Sequence, residues 1–276
     1  MITAPLEVLY EAPGLPSFEL PAELAAGFGG AFGLTEPRLY ANFVASLDGV
    51  VAIPGRNQSS HLIAARSDAD RFVMGLLRAC ADVVLIGSGT LSDSPRTEWT
   101  PDHAFPPAAE AYAKLRHDRG RPPQPTLAVL SGSGRLDPQH PGLSRRALIL
   151  TSEHGAAQLG RSLPRSAAIV PIGSSRTLEP PAAIEALRRR GHGLILCEGG
   201  PTVLGGLVAR GLVDELFLTI SPLLAGRAPR DPRLGLIENA SFLPELDVRG
   251  RLLSLRRSRS HLFGRYQLGE PKSPSP

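Results

Sequence analysis

Short, continuously apolar runs that alternate with helical patterns constrain this chain more than any other feature. The run Val83-Val84-Leu85-Ile86, entered from Asp82 and left at Gly87, has no polar alternation, which is the pattern of a strand buried on both faces of a parallel sheet. Before it, Ser67 supplies a helix N-cap and Phe72, Leu76, Leu77 and Cys80 recur at helical spacing, which predicts a helix over 67–80. The alternation predicts strands at 39–46, 82–86, 126–130, 147–150, 167–171 and 193–197, and further helices at 107–117, 182–190 and 202–210. Longer runs at 214–224, 246–255 and 261–268 with short connections predict antiparallel additions at one side of the sheet. The fold class is α/β: a mainly parallel central sheet flanked by helices, with antiparallel C-terminal strands.

Composition narrows the function classes. Residues 1–37, rich in Pro, Gly and Glu, read as an N-terminal extension with one helix at 22–28, residues 38–268 as the main domain, and 269–276 as a disordered tail. With Gly 29 and Pro 27 in 276 residues, the chain has too many turns for a helical bundle. The formal charge is +4 and nearly all of the basic residues are Arg, Lys114 and Lys272 being the only lysines, so lysine chemistry has few candidates. Cys80 and Cys197 are too few for a disulfide framework or a zinc site built on Cys pairs, and a reduced, cytoplasmic setting is expected. No stretch approaches the length of a membrane span and no metal site is expected. The segment 249–265 has six Arg and no acid, but its apolar positions Leu252, Leu253, Leu255, Leu262 and Phe263 fit a half-exposed strand pair better than a nucleic-acid surface.

Two segments join an apolar strand to a glycine turn. They are Asp82 to Thr90, ending Gly87-Ser88-Gly89-Thr90, and Leu194 to Gly206, containing Glu198-Gly199-Gly200-Pro201-Thr202. Glycine lets backbone approach a ligand, and the next helix offers unpaired N–H groups to a phosphate. Neither loop is a Rossmann fingerprint or a P-loop, and a pair of tight βα turns explains either one alone. Glu198 stands at the carboxyl end of a buried strand, where ligands bind in open α/β sheets. A third segment, Ala45-Ser46-Leu47-Asp48-Gly49, is a strand that stops at an Asp-Gly turn, which is also an ordinary reverse turn.

In this order, the segments 42–49, 70–90, 197–206 and 214–226 resemble the reductase half of the riboflavin-biosynthesis deaminase/reductase family, most closely its stand-alone pyrimidine-reductase-like members. The resemblance covers roughly 38–268 and implies a dihydrofolate-reductase-like fold, a homodimer, and reduction of the phosphorylated substrate 5-amino-6-(5-phosphoribosylamino)uracil by NADPH. It places NADPH against Ala45, Gly87, Gly89 and Thr90, with Ser131 near the adenosine ribose and the pyrophosphate cradled by Gly199, Gly200, Pro201, Thr202, Val203, Leu204 and Gly205. The Gly199-Gly200 peptide is a candidate cis bond. Asn42, Arg71 and Glu198 fall at substrate-binding positions, Arg71 at the phosphate. Glu198, directly or through a water, is the expected proton source, and Asp48 is expected to hold ribose hydroxyls.

The chain departs from the family pattern on the substrate side. Asn42 replaces the Lys of the bifunctional bacterial enzymes, Ser60 is displaced, the family Trp falls near Ala64, and Arg96 is the nearest substitute for a later Arg. No H-x-E with P-C-x-x-C occurs, so the zinc deaminase half is absent. Reduction of another heterocycle such as dihydrofolate, and cofactor binding without turnover, are the competing expectations.

Overall fold

The continuous apolar runs form the centre of one sheet in the computed structural model, which describes residues 4–160, 162–270 and 272. Its strands are β1 (Glu7–Glu11), β2 (Arg38–Ala45), β3 (Val83–Gly87), β4 (Thr126–Ser131), β5 (Ala147–Thr151), β6 (Ala167–Pro171), β7 (Leu194–Cys197), β8 (Glu215–Ile220), β9 (Gly250–Ser258) and β10 (His261–Leu268). The spatial order is β1-β9-β10-β8-β2-β7-β3-β4-β5-β6. Every pairing from β8 to β6 is parallel, while β10 on β8, β9 on β10 and β1 on β9 are antiparallel.

Helices cover both faces of the parallel part. They are α1 (Ala22–Phe28), α2 (Ser59–Ile63), α3 (Asp68–Cys80), α4 (Ser88–Ser92), α5 (Pro101–Ala104), α6 (Ala109–Asp118), α7 (Glu153–Leu159), α8 (Pro180–Arg188) and α9 (Pro201–Ala209). Successive residues of β3 enter opposite cores. Val84 and Ile86 pack with Phe72, Leu76 and Leu77 of α3 and with Tyr112 of α6, whereas Val83 and Leu85 pack with Leu187 of α8 and Leu204 of α9. That division is why the strand reads as an unbroken apolar run.

Two expectations are corrected at the antiparallel end. β8 is parallel to β2 and antiparallel only to β10, so it joins the two halves of the sheet instead of belonging to the antiparallel addition. The strand expected at 246–255 lies at Gly250–Ser258. Its polar end is a strand because Arg256 and Arg257 meet Glu11 and Glu7 of β1, a pairing invisible to local periodicity. The helix at 22–28 is where the sequence places it, but Glu7–Glu11 also forms the sheet edge, and Leu6, Leu24, Phe28 and Phe32 enter the core. Of the tail, Lys272 pairs with Asp247 through backbone bonds of 2.8 and 3.1 Å, and residues 271 and 273–276 lie outside the described residues.

Candidate active site

β7, β3 and β4 are consecutive parallel neighbours, so the chain leaves all three toward the same edge of the sheet. There the two glycine loops meet. Gly199 lies so close to β3 that an added Cβ would stand 2.1 Å from Ile86 Cα and 2.5 Å from Gly87 N. Gly200, the residue before α9, takes φ of 45°, a left-handed conformation that glycine adopts without strain. A Cβ on Gly200 would lie 3.3 Å from the Thr90 hydroxyl, whereas one on Gly89 would meet nothing within 4 Å. The cis peptides among the described residues are Glu36–Pro37 and Leu243–Pro244, so Gly199–Gly200 is trans, against expectation, and Gly200 makes the turn through its φ instead. On the next strand end, the buried Ser131 hydroxyl has no hydrogen-bond partner among the described residues.

A cavity opens between this edge and α3. Asp70, Met74 and Arg78, four residues apart, place one stripe of α3 along it, and Asn42, Thr90, Glu198, Gly200 and Pro201 line it from the sheet side. Phe43, Val44, Val51, Met74 and Trp99 supply apolar wall. Arg78 Nε donates to both Glu198 oxygens at 3.1 and 3.0 Å, and its Nη2 donates to Oε2 at 2.6 Å. These side chains are 4% and 6% exposed. The second amino nitrogen of Arg78 donates to the Thr100 carbonyl at 3.2 Å. Glu198 is thus the acceptor of a bidentate, charge-assisted pair that fixes its carboxylate against α3.

Asp70 differs. It sits in the first turn of α3, with its N–H donating to the Ser67 hydroxyl at 3.3 Å. Burial pushes its carboxyl up to about 6, against the opposing pull of the Thr219 hydroxyl and His261, while the Glu198 charge pushes the same way as burial. At the rim, burial and then the charges of Arg71 and Arg78 lower the pKa of His61, and burial and Arg78 lower that of His103. Asp93, also on the cavity, is pushed up by burial.

Several sequence-predicted residues fall elsewhere. Asp48 is not among the cavity-lining residues. Its carboxylate accepts from the Ser46 hydroxyl at 2.6 Å and the N–H groups of Ala225 and Gly226 at 3.0 and 2.8 Å. Those bonds hold the carboxyl down at about 2, so this side chain staples two loops. Arg71 donates to the Ala104 carbonyl at 2.9 Å and stands over Phe105, which ties α3 to α5 outside the cavity lining. The cradle expected over Gly199 to Gly205 narrows to its first part. Val203 packs on Gly87, Leu204 is in the core, and Gly205 lies under the Glu238 carbonyl, because the second turn of α9 faces inward. Ala45 is buried, and its carbonyl accepts from Ser221 N–H at 2.8 Å.

Sequence reasoning missed Asp70, Arg78, Asp93, His61 and His103. One signal was present: Arg78 interrupts the apolar face of α3 between Leu77 and Ala79, and Asp70 recurs eight residues earlier on the same stripe. Among the described residues no group of three or more His, Cys, Asp or Glu could hold a metal, and no helix is long and apolar enough to cross a membrane.

The profile of the RibD C-terminal domain matches residues 37–259. The chain belongs to the RibD C-terminal domain family. Among relatives of this RibD-type chain, the 2,5-diamino-6-ribosylamino-4(3H)-pyrimidinone 5′-phosphate reductase of Archaeoglobus fulgidus is 28% identical over 193 residues, covering 69% of this chain and 82% of that protein. The riboflavin biosynthesis protein RibD of Mycobacterium tuberculosis is 27% identical over 192 residues, 69% of this chain and 43% of that protein, so the match spans less than half of its length. A pyrimidine reductase-like protein from Corynebacterium diphtheriae superposes with a TM-score of 0.66 at 24% identity, covering 91% of this chain and 95% of that one, a likeness of fold. The α/β architecture and the family are those implied by the four ordered motifs.

Proposed function

We propose that this chain is an NADPH-dependent reductase of a phosphorylated ribosylaminopyrimidine, either 5-amino-6-(5-phosphoribosylamino)uracil or the diaminopyrimidinone named in the Archaeoglobus relative. The observation that carries this reading is the convergence of three adjacent strand ends: the Gly87–Thr90 turn, the Glu198–Thr202 turn and the orphaned Ser131 hydroxyl. Open glycine backbone, a nine-residue helix starting at Pro201 and an unpaired buried hydroxyl suit the phosphates and ribose of a dinucleotide. Gly89, Thr90, Gly200, Pro201 and Thr202 would hold it, and Ser131 would meet its adenosine end.

Bound there, NADPH would supply the hydride of the reduction. The chain's own residues align the acceptor, and alignment is the larger part of catalysis in such transfers. The apolar wall of Phe43, Val44, Val51, Met74 and Trp99 receives a flat heterocycle, Asn42 offers an amide to its edge, and Arg78 fixes Glu198 where it accepts from substrate N–H or O–H groups. Arg71 lies near enough to His61 and His103 at the rim for its charge to lower both imidazoles, and it would be the cation that meets an anionic tail entering there, with the neutral imidazoles as hydrogen-bonding partners.

We also assign the chain to a homodimer working in a reducing cytoplasm. Val8, Leu9 and Tyr10 stand exposed on the edge strand β1, and Cys80 and Cys197 are free, buried thiols.

Consumption of NADPH, followed by absorbance, tests the reading with each ribosylaminopyrimidine phosphate and with dihydrofolate as separate substrates. Oxidation with a ribosylaminopyrimidine and none with dihydrofolate is expected. The reverse pattern would make the chain a pterin reductase, and saturable cofactor binding without oxidation on either would make it a cofactor-binding protein.

A further inference from the structure

We propose that Asp70, and not Glu198, gives the proton that completes the reduction; this inference rests on the reductase reading above. When the ribosyl C1′ of a ring-opened imine gains a hydride, a C–H bond forms and the C=N π pair moves onto nitrogen. That nitrogen must take a proton as the acid's O–H bond breaks. The substrate is reduced to an amine, the two electrons come from the nicotinamide, which leaves oxidised, and the carboxylate is reprotonated from solvent.

The cavity offers few groups that can do this. Glu198 accepts from Arg78 through both oxygens, so its carboxylate is already tied up in a bidentate pair. Asp48 lies outside the lining and its oxygens are engaged by Ser46, Ala225 and Gly226. Asp93 also lines the cavity and is raised by partial burial, but it lies at the open side, where solvent reaches it. His61 and His103 are exposed at the rim, and their lowered pKa values leave them neutral at pH 7. Asp70 lines the cavity on the same stripe as Arg78 and has no salt bridge among the described residues. The groups facing it come from separate elements: the Thr219 hydroxyl from β8, His261 from β10 and the Glu198 charge from the end of β7. His261 is itself fixed to the Ala64 carbonyl at 3.0 Å. The balance of these groups with burial leaves the Asp70 carboxyl near 6, within reach of neutral pH, where a general acid works best.

The test uses the full-length protein and the variant Asp70→Asn. In wild type, a carboxyl ¹³C resonance that is missing from D70N is expected to titrate with a midpoint near 6. D70N is expected to lose ~100-fold or more in kcat. It should also lose the fall in kcat as pH rises through 6, while calorimetric NADPH affinity stays within about twofold of wild type. A midpoint at or below the ordinary carboxylate range overturns the proposal whether or not the variant is active. So does a D70N enzyme that keeps wild-type turnover and pH profile. Wild type that turns over no ribosylaminopyrimidine overturns the reductase reading itself, which separates the two failures.

Discussion

The two halves of the sheet treat buried charge differently. Toward the antiparallel flank, from its junction at β8 outward, the ions close on one another: Glu215 of β8 accepts from Arg38 of β2 at 3.0 Å and from Arg265 of β10 at 2.6 Å, and Arg265 also lies 5.3 Å from the Phe32 and Phe217 rings. Arg256 closes on Glu11 at 2.6 Å. In the parallel half, Arg78 and Glu198 form one comparable pair, but its surface faces a cavity, and Asp70, on the same stripe of α3, makes no salt bridge among the described residues. The lesson is that a buried charge with all partners inside the fold reports architecture, while one that faces open space beside an unpaired carboxyl marks chemistry. Of the six-Arg segment 249–265, the buried Arg256 and Arg265 belong to the first kind, while the exposed Arg251 and Arg257 bond to Gln267 and Glu7 on neighbouring strands.

Matched disruptions of the two pairs should give the largest effects. Arg78→Met leaves Glu198 buried and unpaired, and Glu215→Gln leaves two guanidiniums without their anion; each should cost about 3–5 kcal/mol of stability in urea unfolding. Only R78M should also abolish turnover, and E215Q should keep NADPH affinity. Equal loss of activity in both would erase the distinction.

The glycines sharpen it next. Gly199→Ala forces a Cβ into the backbone of β3 and should cost ~2–4 kcal/mol or prevent folding. Gly89→Ala meets no protein atom, so the melting temperature should hold, while on the proposed reading the new methyl would stand where the cofactor approaches the turn and NADPH affinity should fall ~10-fold.

Smaller effects come from pH. Asp70 is raised from 3.8 to about 6 in the folded chain, so the native state binds its proton more tightly than the unfolded state and loses stability as pH rises from about 4 to 6. D70N should therefore gain on the order of 1–2 kcal/mol over wild type at pH 8 and lose that advantage at pH 4. Asp48 runs the other way. Its carboxyl, lowered from 3.8 to about 2, contributes stability that is present above pH 4 and lost as pH falls toward 2. In acid titration followed by circular dichroism, Asp48→Asn should flatten that limb slightly.

What was legible in the sequence follows the same division. The strands of the parallel half show themselves because both faces are apolar, and Ser67 marks the start of α3 through its own bond to Asp70 N–H. β1 and the polar end of β9 were hidden because Glu7, Glu11, Arg256 and Arg257 stabilise each other across more than two hundred residues. The glycine turns were visible as local motifs. Asp70 and Arg78 were not, since their meaning depends on Thr219, His261 and Glu198, which the topology brings from distant strands. Asp48 and Arg71 stood out as charged residues in the right motifs, but their bonds to Ala225, Gly226 and Ala104 are tertiary facts that no local pattern carries.

The central claim is that the carboxyl ends of β7, β3 and β4 form a single cofactor site, and calorimetric titration of NADPH into wild type and G89A tests it most directly. Saturable heat at one equivalent per chain in wild type, with weaker binding in an equally stable G89A, is the predicted result. No heat in wild type, or an affinity that the added methyl leaves unchanged, would contradict it.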